Sequence, residues 1–308
     1  MTINGIDALP MSSVKTAVTI PGLVQNWDFH CDPVPRWRRR QTVEMAFARA
    51  CKSPAWSVIK PVVAKAAWTV YFLYSPDGVL SAAHRFTLAR MRDSGVNLLV
   101  VCTTREPALV PAELHAYANA LLWKGLEGYD FSAYTLALRQ ISKKSSGADV
   151  LLFNDSVFGP FSDITKCVTQ SRWDFTGFTA SSTIAHHIQS YAFGLKAVNA
   201  ARMLHLAPVF FPFFAVNDRE AAILLQEVRL ARVASRSMKV GAFWYGDAND
   251  LFDPTMVRPF ELIDAGFPFL KRSLLGRGAE YQDSERVRAV LSLPDVSRNR
   301  FSLFVCLC

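Results

Sequence analysis

The sequence predicts an α/β protein in which helices flank a mostly parallel sheet. Two observations predict this class: short apolar runs rich in β-branched and aromatic residues recur from residue 68 onward, and stretches with helical spacing separate them. The chain has 308 residues, of which 51% are hydrophobic and 19% are charged. This is enough apolar material for a sizeable core and excludes a mostly disordered protein. The length permits one large domain or two smaller ones.

Strands and helices alternate along the middle of the chain. The predicted strands, each an apolar run bounded by turn residues, cover residues 68–74, 96–102 and 150–153. The predicted helices, each with apolar residues at helical spacing, cover residues 80–95, 111–123 and 132–143. In a sheet of this kind, ligands bind beyond the carboxyl ends of the strands. Polar residues directly after an apolar strand are therefore the first candidates for a site.

Charge and cysteine content narrow the class of partner. A formal net charge of +8 indicates an anionic partner, which nucleic acid, anionic lipid and nucleotide phosphate would all satisfy. The sequence has no zinc finger, helix-turn-helix repeat or aromatic-and-basic RNA platform, so we do not expect nucleic acid. The six cysteines show no paired metal-ligand spacing. Cys102, at the end of an apolar run, and Cys167, in a predicted helix, are expected to be reduced core thiols.

The two ends of the chain differ from its regular middle. Residues 1–66 form a predicted N-terminal extension with a basic and aromatic cluster at residues 36–40. We favour a solvated arm packed on the main domain. The alternative is a contact with an anionic membrane surface, which Trp and Arg side chains suit. Residues 67–285 form the predicted main domain, and residues 286–308 form a C-terminal tail without an assigned role.

Localisation is predicted from two kinds of hydrophobic segment that the sequence lacks, an export signal and a membrane-spanning helix. The N-terminal residues lack the basic start and continuous apolar run of an export signal. No stretch reaches the ~18 uninterrupted apolar residues that a membrane-spanning helix needs. We therefore expect a cytoplasmic protein, which the membrane-contact alternative would place peripherally at the inner membrane.

The most informative polar cluster consists of Asn154, Asp155 and Ser156, directly after the predicted strand at residues 150–153. A carboxylate at a strand end can coordinate a divalent cation or accept hydrogen bonds from a ribose. A nucleotide-sugar transferase needs such a group, because its departing diphosphate must be neutralised. The alternative is an Asx-turn in which Asp155 simply caps the next segment.

Two further groups flank this cluster in the sequence. Asp130 stands in a glycine–aromatic–acid turn that opens a helix, where it could bind a ligand or serve as an N-cap. The adjacent His186 and His187 match zinc poorly, because zinc sites spread three or four ligands at helical or loop spacing. We expect one of these histidines to donate a hydrogen bond to a sugar or phosphate.

Five blocks of the sequence resemble, in the same order, those of the rhamnan synthesis protein F family. They cover residues 128–131, 153–160, 174–177 with 187–191, 227–228, and 253–255 with 266–271. Each block is short, but their order between residue 68 and residue 280 is specific. The resemblance implies a GT-A-like, Rossmann-type fold. It also implies a glycosyltransferase that moves rhamnose or a similar sugar from a nucleotide-sugar donor to a growing bacterial surface polysaccharide, free or lipid-linked.

The resemblance also implies roles for individual residues. Asn154, Asp155 and Ser156 would form the donor-binding motif, with Asp155 as the ligand of a Mg²⁺ or Mn²⁺ ion. The other implied donor-binding residues are Gly128, Asp130, Gln189 and Lys271, the last in contact with diphosphate. The implied catalytic residues are Asp174 or Glu227 as the base, and His187 facing the donor sugar or the acceptor.

The chain departs from the family pattern at three points. Leu126 stands where the family usually has asparagine, Asp253 stands where it often has asparagine, and Asp155 is the only carboxylate of its motif. These departures keep a second hypothesis open, a non-catalytic glycan-assembly protein with the same fold that binds partners. A third hypothesis, a peripheral membrane adaptor acting through residues 36–40, is compatible with either and predicts salt-sensitive liposome binding.

Overall fold

The computed structural model describes residues 19–33, 36–247, 253–275 and 285. The strands are β1 (Leu23–Asp28), β2 (Ala50–Lys52), β3 (Trp56–Lys60), β4 (Ala67–Tyr74), β5 (Leu98–Thr103), β6 (Ala120–Lys124), β7 (Ala148–Asn154), β8 (Val157–Phe158), β9 (Phe175–Ser181), β10 (His187–Ile188), β11 (Ala192–Val198), β12 (Phe214–Val216), β13 (Val240–Gly246) and β14 (Leu270–Lys271). The α-helices are α1 (Arg36–Arg49), α2 (Ala82–Asp93), α3 (Leu114–Tyr117), α4 (Asp130–Lys144), α5 (Ala200–Leu206), α6 (Arg219–Ala222), α7 (Val228–Ala234), α8 (Pro254–Val257) and α9 (Pro259–Asp264).

One ten-stranded sheet forms the centre of the molecule, in the order β1-β13-β9-β11-β7-β4-β5-β6-β3, with β10 paired to β9. The strands β4, β5, β6 and β7 are mutually parallel. The strand β11 is antiparallel to both β7 and β9, and β13 is parallel to β9. The strands β9 and β13 therefore run in the same direction as β4, β5, β6 and β7. The strands β1, β3, β10 and β11 run in the opposite direction. The predicted α/β class with a mostly parallel sheet is confirmed.

Helices cover both faces of this sheet, because successive side chains of a strand point to opposite sides. On β4, Trp68, Val70 and Phe72 belong to the core that also contains the apolar faces of α4 and α7. Tyr71 and Leu73 belong to the opposite core, which contains residues of α2 and α9. Burial on both sides explains why the central strands appear in the sequence as nearly continuous apolar runs.

Most predicted elements of the middle region are confirmed by β4, β5, β7, α2 and α4. The predicted helix at 111–123 is wrong, because only the short α3 forms there and the chain continues into β6. A short apolar run does not distinguish a helix from a buried strand, and pairing of β6 between β5 and β3 decides the outcome. The helix predicted at Cys167 is replaced by turns, although Cys102 and Cys167 are buried free cysteines, as expected.

The described part of segment 1–66 contributes strands to the main sheet. β1 pairs with β13 at one edge of the sheet, β3 pairs with β6 at the other edge, and β2 pairs with β12. Because their backbone groups are satisfied by these ladders, β1 and β3 belong to the main sheet and do not form a solvated arm packed on it, while β2 forms a separate two-stranded sheet with β12. The boundary at residue 66 stays a prediction. The side chains of residues 36–39 and the whole of 286–308 lie outside the described residues.

Within the described ranges, no helix combines the length and the apolar composition that crossing a bilayer requires.

Candidate functional site

A cavity of about 1220 Å³ lies at the edge of the sheet where β4, β6 and β7 end. Eight residues with predicted site roles line it: Gly128, Asp130, Asn154, Asp155, Ser156, Gln189, Glu227 and Lys271. Further lining residues include Tyr74, Leu126, Tyr129, Ser190, Tyr191, Asn217, Arg219, Asp253 and Arg272. The location agrees with the rule that open α/β sheets bind ligands beyond the carboxyl ends of their strands.

Asp155 is held at the end of β7 by donors from three other segments. Its Oδ2 accepts the backbone N–H of Tyr74 at 3.0 Å and lies 3.1 Å from Nε2 of His84. His84 Nδ1 accepts the N–H of Ser81, so the ring proton of a neutral His84 is on Nε2 and is donated to Asp155. Arg272 Nη1 donates to the backbone carbonyl of Asp155 at 2.8 Å. The predicted Asx-turn exists, but its acceptor is Asn154, whose Oδ1 accepts the N–H of Ser156 at 3.0 Å.

Asp130 faces the same cavity from the first residue of α4. It does not serve as the N-cap, because Tyr129 occupies that position. Instead, its Oδ2 accepts a hydrogen bond from Asn154 Nδ2 at 2.8 Å, and its Oδ1 accepts the N–H of Phe131 at 3.0 Å. Burial, with a smaller contribution from the negative charge of Glu227, raises the pKa of Asp130 to about 6.

We expect the stability of the protein to depend on pH through Asp130. Its pKa is about 6 in the folded chain against an ordinary 3.8, so the folded state binds this proton more tightly than the unfolded state. The free energy of unfolding contributed by this group therefore falls as the pH rises from 3.8 towards 6. Asp130→Asn removes the titration, so the free energy of unfolding of this variant minus that of wild type should increase by up to about 3 kcal/mol between about pH 4 and about pH 7.

Urea unfolding of both proteins across this pH range measures the effect of Asp130. Asp93→Asn, at an exposed carboxylate on α2, is the matched control and should show no such trend. A difference between Asp130→Asn and wild type that is constant with pH would contradict the assignment.

The loop after β6 is built on a buried lysine that sequence reasoning missed. Lys124 is fully buried, and its Nζ donates to the carbonyls of Gly125 at 2.9 Å, Glu127 at 2.8 Å and Gly128 at 3.3 Å. Burial lowers the pKa of Lys124 to about 8. Gly128 has a φ of 71°, and a Cβ there would lie 2.6 Å from Ser132 Oγ. Glycine is therefore required at this point of the cavity wall. The only signal in the sequence was a lysine that directly follows an apolar run.

Two neighbouring cations, Lys271 and Arg272, line the cavity at the end of β14. The Lys271 ammonium lies 3.9 Å from the centre of the Tyr191 ring. In the described part of the chain it has no hydrogen bond or ion pair with a carboxylate. Burial lowers the pKa of Lys271, although Asp253, Glu227 and Asp130 oppose this effect. A third cation, the exposed Arg219, lies at the start of α6.

Four of the five cavity carboxylates, in contrast, are held by donors of the protein; for the fifth, the exposed Glu127, the described residues supply none. Glu227 Oε2 accepts the backbone N–H of Ser190 at 2.8 Å and also accepts its hydroxyl. Asp253 Oδ1 caps α8 by accepting the N–H and hydroxyl of Thr255, at 2.9 and 2.7 Å, and its Oδ2 accepts from Gln189 Nε2 at 3.1 Å. The engaged carboxylates and the less engaged cations favour an anionic ligand.

Two predicted catalytic residues are placed outside the cavity, and these predictions are corrected. Asp174 immediately precedes β9 and so lies at the opposite edge of the sheet, where Arg202 and the N–H of Lys239 donate to its carboxylate at 3.1 and 3.0 Å. His187 is buried on β10, and its Nδ1 lies 2.8 Å from the carbonyl oxygen of Ala185. Neither side chain lines the cavity. Of the two base candidates, the cavity therefore retains Glu227.

The residues around Asp155 do not fit a metal site formed by the protein itself. In the described ranges, no group of three His, Cys, Asp or Glu residues is arranged to hold a metal ion. Asp155 Oδ2 already has two close partners, and Arg272 Nη1 lies 3.8 Å from it. A divalent cation at this carboxylate would meet a guanidinium charge in place of a second anionic ligand.

Comparison with known proteins gives partial matches. No family model matches the chain. The chain is 40% identical over 121 residues to virulence protein VirA of Vibrio anguillarum, including that of strain ATCC 68554 / 775. This match covers 38% of the chain and 39% of the relative. The chain thus spans about two fifths of the length of the curated relatives that it matches.

Three solved structures are similar in part. A 4-diphosphocytidyl-2C-methyl-D-erythritol synthase from Anaerococcus prevotii has a TM-score of 0.39 and 10% identity, covering 61% of this chain and 92% of its own. An inositol-1-phosphate CTP transferase from T. maritima has a TM-score of 0.36 and 12% identity, covering 61% of this chain and 93% of its own. A provisionally assigned nucleotide-diphospho-sugar transferase from Desulfovibrio desulfuricans G20 has a TM-score of 0.37 and 11% identity, covering 72% of this chain and 96% of its own. The assignment of an α/β fold with a mostly parallel sheet rests on the strand order, strand directions and flanking helices described above.

Proposed function

We propose that the protein is a glycosyltransferase that moves a sugar from a nucleotide-sugar donor to a glycan acceptor. One observation carries this proposal: the cavity at the carboxyl ends of β4, β6 and β7 presents Lys271, Arg272 and Arg219 to a ligand, while four of its five carboxylates are hydrogen-bonded to the protein. Such a charge arrangement suits a nucleoside diphosphate. The resemblance to the rhamnan synthesis protein F family supports rhamnose or a similar sugar as the transferred group and a bacterial surface polysaccharide as the acceptor.

The proposed reaction is a direct displacement at the anomeric carbon of the donor sugar. The acceptor hydroxyl forms the new C–O bond as the bond between the anomeric carbon and the diphosphate oxygen breaks. The electron pair of the broken bond leaves with the diphosphate, where the cavity cations stabilise it. Glu227 takes the hydroxyl proton, because it is a cavity-lining carboxylate that Ser190 holds in place through Oε2.

A second candidate function is a non-catalytic glycan-assembly protein. The observation that favours it is Leu126, an exposed apolar side chain on the cavity wall where the resembling family usually has asparagine. In this alternative the cavity binds a glycan or nucleotide without turning it over. Under either function, contact with the inner membrane through the 36–40 cluster of α1 remains a proposal that rests on sequence alone.

The test is a panel of nucleotide sugars, measured for binding and for consumption by wild type and Lys271→Met. We expect at least one donor to bind and to be consumed, and the loss of one charge-assisted contact should weaken its binding by about tenfold or more. Lys144→Met, at an exposed lysine in the last turn of α4, is the matched control and should bind like wild type. Donor binding without consumption would favour the non-catalytic alternative, and no binding by folded wild type would refute the glycosyltransferase and leave only a glycan-binding form of the alternative.

A further inference from the structure

We infer that the diphosphate of the donor is held by the side chains of Arg272, Lys271 and Arg219, so that donor binding does not require a divalent cation. This inference rests on the proposed function, since it specifies how that site binds its nucleotide. It departs from the sequence prediction that Asp155 binds Mg²⁺ or Mn²⁺.

The first support comes from what Asp155 already does. Its carboxylate accepts from the N–H of Tyr74 and from His84, at 3.0 and 3.1 Å, and its own backbone carbonyl accepts from Arg272. The side chain is only 15% exposed. A cation at Oδ2 would compete with these donors, and a cation at either carboxylate oxygen would lie near the positive charge of Arg272, whose Nη1 is 3.8 Å from Oδ2. Asp155 is therefore better described as a positioning residue that fixes the guanidinium at the cavity wall.

The second support is that three of the four remaining cavity acids are committed elsewhere, the exception being the exposed Glu127. Asp130 accepts a hydrogen bond from Asn154, Asp253 caps α8, and Glu227 is bonded to Ser190. Hard divalent cations need several oxygen ligands, of which at least one or two are usually carboxylates from the protein. The residues that the structure describes offer no such set next to Asp155.

The third support is that the cations retain donors for a ligand. Arg272 uses Nη1 for its contacts with Asp155 and His84, and no hydrogen bond or ion pair with the described residues uses its Nη2 or Nε. A planar guanidinium can bind phosphate oxygens through two parallel hydrogen bonds. Lys271 contacts the face of Tyr191, and Arg219 is exposed at the cavity edge. Together these side chains supply three positive charges where the leaving diphosphate would otherwise need a metal.

Equilibrium binding of UDP, dTDP and GDP, in excess EDTA and then in excess Mg²⁺ or Mn²⁺, tests the inference. For the diphosphate that binds best, we expect dissociation constants in EDTA and in metal to agree within about twofold. Arg272→Met should weaken binding in EDTA by about tenfold or more, and Arg272→Lys should weaken it less, because a lysine keeps the charge but loses the bidentate geometry. Arg236→Met, at an exposed arginine beyond α7, should bind like wild type.

The outcomes separate the inference from the function on which it rests. Binding that disappears in EDTA and returns with Mg²⁺ or Mn²⁺ overturns the inference but leaves the proposed function intact. Failure of all three diphosphates and the nucleotide-sugar panel to bind to folded wild type, with or without metal, overturns both. If Arg272→Met shows an altered thermal unfolding midpoint, Arg272→Lys and Lys271→Met decide the outcome in its place.

Discussion

Replacing Glu227 with glutamine lowers the turnover of the nucleotide-sugar donor by about 10²- to 10⁴-fold, the range expected for loss of a general base. Donor binding should change little, because the amide oxygen of glutamine can still accept the N–H of Ser190, to which Glu227 bonds at 2.8 Å. The side chain should therefore keep its position and lose only its ability to take a proton. A large loss in turnover with nearly unchanged binding is the signature of a group that acts in the transition state.

Steady-state kinetics and equilibrium binding of the same donor measure the two effects of Glu227→Gln. Glu220→Gln provides a control, since it makes the same change at an exposed carboxylate on the preceding helix α6. If Glu227→Gln loses donor binding and turnover in parallel, Glu227 binds substrate and does not act as a base. If both quantities are unchanged, the base is another residue, and Asp130 is the next cavity carboxylate to test.

The largest expected loss of stability comes from Gly241→Ala on β13. A Cβ at this position would lie 2.1 Å from Cε2 of Trp173 and 2.6 Å from the carbonyl oxygen of Trp27. The second neighbour is backbone of β1, so the strain cannot be relieved by a side-chain rotation alone. Trp173 would also have to move, and its movement would disturb the hydrogen bond that its Nε1 donates to Asp28 of β1 at 2.6 Å. Overpacking of this kind costs about 3 kcal/mol.

Urea unfolding with linear extrapolation measures the effect of Gly241→Ala, with Gly246→Ala as the matched control. Gly246 lies on the same strand, but its nearest neighbour would be Pro254 Cδ at 3.3 Å, so the control should lose much less stability. Equal losses in the two variants would mean that β1 does not pack against β13 as described. The comparison therefore also tests whether residues 19–33 are part of the main sheet.

The sequence predicts those parts of the cavity in which the local pattern alone determines where a side chain lies. Asn154, Asp155 and Ser156 directly follow a buried parallel strand, and this order along the chain is sufficient to put them at the carboxyl edge of the sheet. The sequence could not show that Asp155 would form hydrogen bonds with His84 and Arg272. These contacts join residues 71 and 117 positions apart, and no local spacing encodes them.

The predictions for the catalytic residues failed for the same reason, because tertiary packing decides which carboxylate reaches the cavity. Asp174 has the right residue type for a base, but its position at the start of β9 puts it at the far edge of the sheet, where Arg202 pairs with it. Glu227 appeared to be the weaker choice, since it could equally have been an ordinary carboxylate on a helix surface. The packing of its helical segment beside the loop after β10 places it 2.8 Å from the N–H of Ser190.

The sequence by itself determined the α/β class, the strands β4, β5 and β7, the helices α2 and α4, and the edge of the sheet at which a site would form. These features follow from apolar periodicity and from the direction of parallel strands, both of which are readable over short stretches. Only the tertiary structure decided that residues 120–124 pair as a strand, that β1 and β3 extend the sheet, and which charges meet in the cavity. Those outcomes depend on backbone pairing and side-chain contacts between distant segments, whose free energies arise only when the whole chain is folded.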